Sequence, residues 1–211
     1  MKVAVCNEVS TRVRNSDILR SLEKYDLEVF NVGMSEADTP SELTYIHTGF
    51  LSALLLKLKK VDYAIGGCGT GIGYLNSVLQ YPGVVCGHIL SPLDAWLFSE
   101  INHGNCIALA LNQGYGWAAE KNLQYIFEQI FGVKHGLGYP KHRAESQAAS
   151  RKTMSDLSAM THIGFADIVQ KMPSDILETV LSFPGVGELI GSEANGVEAL
   201  KASILRQLGQ K

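Results

Sequence analysis

The sequence predicts an α/β protein: a doubly wound, five-stranded parallel sheet of the Rossmann-like kind, followed by a helical C-terminal appendage. Three observations predict it. Short apolar runs closed by glycine or polar residues recur along the first 110 residues, and each is separated from the next by a stretch of helical period. Strand and helix alternate, which makes successive strands parallel and places helices on both faces of the sheet. Beyond residue 140 the strand-like runs stop, and the chain reads as helices broken at Pro173 and Pro184. A length of 211 residues suits one domain with an appendage, divided as 1–140 and 141–211.

The elements follow in order. Met1 to Cys6 suits a short buried parallel strand, because its apolar residues run on instead of alternating. Ser16 to Tyr25 reads as a helix behind a Ser16 cap. Leu27 to Val32 is the second strand, closed by Gly33. Ser41 to Lys60 carries apolar residues at helical spacing, and Val61 to Ile65 is the third strand. A short helix from Tyr74, a strand from Gly83 to Cys86, a helix from Pro92 to Ile101, a strand from Asn105 to Leu109 and a helix from Tyr115 to Ile130 complete the rhythm. Trp96, Trp117 and the tyrosines read as core or interface residues on helix faces.

Composition narrows the function. The apolar fraction is 46% and the net charge −3, which supports a packed core and argues against nucleic acid or a membrane surface as partner. No apolar run approaches the roughly 18 residues of a membrane span. The opening MKVAVCNEV has too short an apolar part for a secretory signal. Four cysteines, at 6, 68, 86 and 106, form no CxxC pair. The expectation is a soluble chain of a reduced, cytoplasmic compartment. No His, Cys, Asp and Glu cluster has metal-ligand spacing, so no metal and no cofactor is expected.

Chemistry concentrates in Gly66 to Gly73, where five of eight residues are glycine between a strand and a helix. Ligands of open α/β sheets bind outside the C-terminal strand ends, and a glycine turn there lets successive N–H groups converge on an anion. The spacing is neither the dinucleotide fingerprint nor a phosphate-binding loop ending in Gly-Lys-Ser/Thr, and no nucleophile elbow is present. Cys68 lies inside this segment beside Thr70. A thiol among backbone donors at a helix N-terminus is expected to have a lowered pKa and to serve as base or nucleophile. The plain alternative, a small buried cysteine with glycines that only pack, suits Cys6, Cys86 and Cys106 better.

The stretch GGCGTGIG, with Pro82-Gly83-Val84 and Asn102-His103-Gly104-Asn105-Cys106-Ile107-Ala108-Leu109, resembles the type-B ribose-5-phosphate isomerases and their galactose-6-phosphate isomerase relatives over about residues 1–150. The tail is similar to a helical domain attached in a bacterial subset of that family. The resemblance implies an aldose–ketose isomerase working through an enediolate, in homodimers or homotetramers with shared sites, without metal or cofactor. It implies Cys68 as the proton-moving base, Thr70 as a substrate contact, and Gly67, Gly69, Gly71, Ile72 and Gly73 around the enediolate oxygen. Another branch of the family carries glutamate where this chain has Ile72. It further implies Asn102, with His103 beside it, as ligand to a substrate hydroxyl, and Lys141, His142 and Arg143 as the phosphate site, partly across a subunit interface.

Two departures stand out. Asn7-Glu8 occupies the place of an Asp-His pair that holds substrate and helps to open the sugar ring, and Ile101 replaces a histidine. A substrate that cannot close a ring, such as a four-carbon sugar phosphate, fits these changes. Arg12 and Arg14 follow the first strand as solvated loop charges or as further phosphate ligands. Lys134 to Lys152 holds five cations against the single acid Glu145 in a chain of net −3, which suits either the capture of a dianion or a solvated connector. His88 is a further candidate at the ligand-binding edge, while His47 and His162 read as structural or exposed. The alternative function is a non-catalytic phosphosugar-binding or regulatory protein, which would have no use for a thiolate at Cys68.

Overall fold

A computed structural model describes residues 1–37, 41–191 and 196–209; the parts of the predicted appendage at 192–195 and 210–211 lie outside them. Five strands form one sheet: β1 (Lys2–Asn7), β2 (Glu28–Asn31), β3 (Tyr63–Cys68), β4 (Cys86–Ile89) and β5 (Cys106–Ala110), in the order β2-β1-β3-β5-β4. Every pairing is parallel. The predicted fold class holds.

The two faces of the sheet differ in side-chain size, and this sets how closely helices approach. On one face Val3, Val5, Ile65, Ile107 and Leu109 pack under α1 (Asn15–Leu22), α4 (Pro92–Leu97) and α5 (Ala119–Phe131). The other face presents Ala4, Cys6, Ala64, Gly66, Cys68, Cys106 and Ala108. Such small residues let α2 (Tyr45–Lys57) and α3 (Ile72–Val78) sit close to the backbone. Tyr74 of α3 lies over Gly66, where an added Cβ would stand 1.9 Å from its ring, and its hydroxyl donates to Ser52 of α2 at 2.7 Å. Gly66 and Gly67 are therefore required by packing.

Several boundaries move from their sequence expectations. The third strand runs on through Gly66 and Gly67 to Cys68, so only Gly69, Thr70 and Gly71 form the turn, and α3 starts at Ile72 instead of Tyr74. Gly71 adopts a φ of 78°, which a side chain would resist. The fourth strand begins at Cys86, three residues later than expected, because Gly83 (φ 80°) still belongs to the preceding turn. The segment after β1 is no loop: Val9–Arg14 is a 3₁₀ helix, capped by the Glu8 carboxylate, that runs straight into α1. Ser16 caps nothing, since the helical path already starts upstream. The helix after Pro92 ends in a π-helical turn, Phe98–Asn102, and the one expected from Tyr115 starts at Ala119. Trp117 is fully exposed on the β5–α5 connection and belongs to no core.

The C-terminal helices behave in two ways. Helices α7 (Phe165–Lys171), α8 (Ser174–Leu181), α9 (Val186–Ile190) and α10 (Val197–Gln207) bury Phe165, Val169, Leu177, Val180, Ile190 and Ile204 in one cluster with Phe50, Leu51 and Leu54 of α2. By contrast α6 (Ala144–Thr161), the longest helix, buries none of its 18 residues. It is tied down by Arg151, whose guanidinium donates to Ile101 O at 2.9 Å, and it walls a groove of about 790 Å³ with the exposed side chains of Met154 and Leu157.

Among the described residues no helix is long and apolar enough to cross a membrane, and no group of three His, Cys, Asp or Glu side chains could hold a metal ion.

Candidate active site

Strand order reverses at β1 and β3: from β1 the chain winds outward to β2, and from β3 it winds to the other side. The connections leaving these two strands part company there and open a crevice at their C-terminal ends. Asn7 pairs with Gly67, and the ladder continues one step further, with Glu8 N donating to Gly67 O at 3.3 Å. Glu8 is still extended (φ −94°, ψ 175°), so it stands next to Cys68. Side chains alternate along a strand, which puts Glu8 on the same face as Cys6, and Cys68 on that face too.

Cys68 is 7% exposed, and its Sγ lies 4.0 Å from Thr70 Oγ1. The turn that follows is held from three sides. Gly71 N donates to Cys68 O, and Ile72 N donates to Thr70 Oγ1. His88 Nε2 lies 2.8 Å from Thr70 O. From the β5 end, Asn112 N and Gln113 N both donate to Gly69 O, while Asn112 Nδ2 donates to Ser10 O. Ser10 in turn donates to the Glu8 carboxylate through its N–H (3.1 Å) and its hydroxyl. A Cβ placed on Gly69 would still be 3.6 Å from Asn112 and 3.8 Å from Ser10, the distances of ordinary contact, and Ile72 is 48% exposed. Glu8, Ser10, Cys68, Gly69, Thr70, Ile72 and Asn112 thus gather at the C-terminal ends of β1, β3 and β5. Gly73 lies against the Tyr45 ring, at 3.1 Å from a Cβ built there.

The remaining candidates fall elsewhere. Asn7 is fully buried and committed inside the protein: its Nδ2 donates to Met34 O at 2.8 Å and its Oδ1 accepts from Asn15 at 2.7 Å. It braces the crevice floor and has no side-chain surface for a substrate. Arg14 stacks its guanidinium 4.4 Å from the Tyr115 ring, with Nε buried and without a hydrogen-bond partner, whereas Arg12 is exposed. Asn102 and His103 precede β5, whose first residue pairs with Ala64 at the start of β3. They therefore lie at the N-terminal edge of the sheet, a strand length of roughly 13 Å or more from Cys68. Lys141, His142 and Arg143 form an exposed 3₁₀ turn leading into α6, and Arg143 Nε donates to Ser146. No described hydrogen bond or ion pair links them to the glycine turn. Within one chain the structure unites Glu8, Cys68, Thr70 and the turn, and separates them from Asn102, His103 and the basic run.

Burial pushes the Cys6 thiol up to about 12, and burial likewise raises Cys86. Ser10 and Asn112 escaped the sequence reading, although Asn112 follows the end of β5 at the ligand-binding edge and could have been found by that rule.

The sequence profile of the Ribose/Galactose Isomerase family matches residues 3–134. No curated protein sequence matches the chain. Among solved structures, a 4-deoxy-L-threo-5-hexosulose-uronate ketol-isomerase complexed with a tartrate is 34% identical, at a TM-score of 0.89, with 99% of this chain and 100% of that one covered. The ribose-5-phosphate isomerase of Vibrio parahaemolyticus is 37% identical, at a TM-score of 0.88, with 99% of both chains covered. Ribose-5-phosphate isomerase B of Clostridium thermocellum shares the fold at 19% identity and a TM-score of 0.63, over 77% of this chain and 100% of its own.

Proposed function

The chain belongs to the ribose/galactose isomerase family, and on that premise we propose that it interconverts an aldose and a ketose through an enediolate, the substrate being a short sugar phosphate such as ribose 5-phosphate or a four-carbon analogue. One observation carries this reading: a single cysteine, Cys68, stands at the C-terminal end of β3 with its Sγ 4.0 Å from the Thr70 hydroxyl of the turn that follows.

The chemistry follows from the parts. A base must move a proton between two adjacent carbons, and Cys68 is the thiol at the crevice mouth. The oxygen that becomes negative needs fixed donors. Gly71 and Ile72 spend their N–H groups on holding the turn, which leaves Gly69, Thr70 and Gly73, with the Thr70 hydroxyl, to meet it. One well-aimed donor of this kind is worth on the order of 3 kcal/mol in the transition state. Gly71 and His88 shape the cradle, and Ile72 closes its rim.

The phosphate needs cations, and those of Lys141, His142 and Arg143 lie at the other end of the sheet. A second copy of the chain, seated against the exposed Met154 and Leu157 of α6, would bring its own basic turn, with Asn102 and His103, to this crevice. Arg12 and Arg14 would add charge from within the chain. The reading therefore includes a homodimer, or a tetramer built from one.

A second substrate class is favoured by a specific observation. The similarity to the uronate ketol-isomerase spans nearly the whole chain at 34% identity, so a sugar carboxylate competes with a sugar phosphate for the same cationic end. Proton NMR in D₂O separates the readings. Ribose 5-phosphate, a four-carbon aldose phosphate and a 4-deoxy-hexosulose-uronate are offered in turn, and deuterium entering at C2 is followed together with ketose formation. Turnover with a phosphate tenfold or more above the uronate supports the proposal, and the reverse ratio selects the uronate. Absence of exchange with all three leaves a binding protein without turnover.

A further inference from the structure

We propose that Glu8 is the second proton-transferring group of this site, serving the substrate's oxygens while Cys68 serves its carbons. The inference rests on the isomerase reading and deepens it. Moving a hydrogen from C2 to C1 is half of the reaction. The other half moves a proton from the C2 hydroxyl to the C1 oxygen, and a single thiol engaged with carbon does not perform it.

The structure places one carboxylate where that task arises. Glu8 lies one extended residue beyond β1, its N–H bonded to Gly67 O, and strand alternation carries it to the face of Cys68, the last residue of the neighbouring β3, in a sheet whose strands are spaced about 4.8 Å apart. Glu8 is 5% exposed, at the mouth of the same crevice, and no basic side chain is paired with it among the described residues. A carboxylate so sheltered from water, yet without a counter-ion, is unusual unless hydrogen bonds or function retain it. Here Ser10 supplies two donors, and Asn112 fixes Ser10 through its carbonyl. Each carboxylate oxygen keeps a further lone pair for a substrate hydroxyl.

The step balances within the site. Deprotonated Cys68 takes the C2 proton, the C2–H electron pair becomes the C1=C2 bond, and the carbonyl pair moves to O1. The Glu8 carboxylate accepts the O2 proton and, as the acid, gives it to O1. The O2 pair then forms the C2=O2 bond while the C1=C2 pair takes the proton from Cys68 at C1. Nothing is oxidised or reduced beyond the substrate's own two carbons, and both side chains return to their starting states.

The competing account is that Glu8 only caps the 3₁₀ helix behind it. Glu8→Gln distinguishes the two, since the amide oxygen still accepts from Ser10 N but no longer carries a proton between oxygens. The variant is compared with wild type for thermal melting, kcat, KM and deuterium entry at C2 of whichever sugar the wild type turns over. The expected result is unchanged melting, KM within about threefold, kcat lower by about 10²-fold or more, and C2 exchange retained within about tenfold. Glu8→Asp should restore part of the lost kcat. Turnover of Glu8→Gln within about fivefold of wild type overturns the proposal in favour of the cap. So does a parallel loss of exchange and turnover, which would mean that Glu8 merely maintains Cys68. If the variant melts early, Glu8→Asp decides: a shorter carboxylate that folds, keeps exchange and loses only part of the turnover supports the proposal, and one in which exchange and turnover fall together, or neither falls, overturns it. A wild type without exchange on any of the three sugars removes the isomerase reading itself, a result visible before the variant is made.

Discussion

The two edges of the sheet are built in opposite styles. At the C-terminal edge, Glu8 and Cys68 are buried, and the exposed Ser10, Thr70 and Asn112 tie three strand ends together by hydrogen bonds. At the N-terminal edge, Asn102, His103 and the turn Lys141–Arg143 are exposed, and α6 beside them buries nothing within its own chain. A sheltered, cross-braced edge is pre-organised for chemistry, because its donors need no rearrangement as charge develops. The contrast teaches that one chain holds its two groups of candidate residues at opposite edges of the sheet, a strand length apart.

The largest expected effect tests the sheltered edge. Cys68→Ala should lower kcat by about 10²- to 10⁴-fold with melting nearly unchanged, as measured by ketose formation. Wild-type turnover in that variant would remove the C-terminal edge from the chemistry. Joining the two edges is tested by complementation. Cys68→Ala and Arg143→Glu, each inactive alone, should regain about a quarter of wild-type activity when co-expressed, since statistical pairing leaves one site in four intact. No regain would mean that each chain completes its own site.

A smaller effect is expected at α6. Leu157→Glu should shift the protein to a lower mass in light scattering and reduce activity about tenfold, while far-ultraviolet dichroism stays as it is. Retention of both mass and activity would make α6 a solvated connector. The smallest effect concerns pH. His47 Nδ1 accepts from Thr44 N at 3.0 Å, and burial lowers the His47 pKa below its ordinary 6.5, with Asp175 opposing. Burial and the neighbouring His103 lower His135 likewise. The unfolded chain binds protons first as pH falls through 6.5, so stability is full above that value and is lost as pH drops toward the folded values. Melting temperature should fall by a few degrees from pH 7.5 to 5.5, and His47→Gln, which keeps the acceptor, should flatten the slope. A pH-independent melting temperature would deny His47 this role.

What the sequence determined by itself was local. Runs such as Val3-Ala4-Val5-Cys6 and the spacing of Phe50, Leu51, Leu54 and Leu55 specify strand and helix through periodicity, and a glycine-dense segment after a strand marks the ligand-binding edge. Cys68 was legible for the same reason. Tertiary structure decided the rest. Gly66 and Gly67 belong to a strand because Tyr74 and the Leu109 carbonyl need their space, a contact between distant segments that no local pattern records. Asn7 and Glu8 are adjacent in sequence, yet strand alternation and the reach of Asn15 bury one as a brace and leave the other beside Cys68. The resemblance makes Asn102 a substrate ligand, and a parallel β5 places it, within its own chain, at the edge opposite Cys68, since all strands point one way and residues before a strand end opposite those after it.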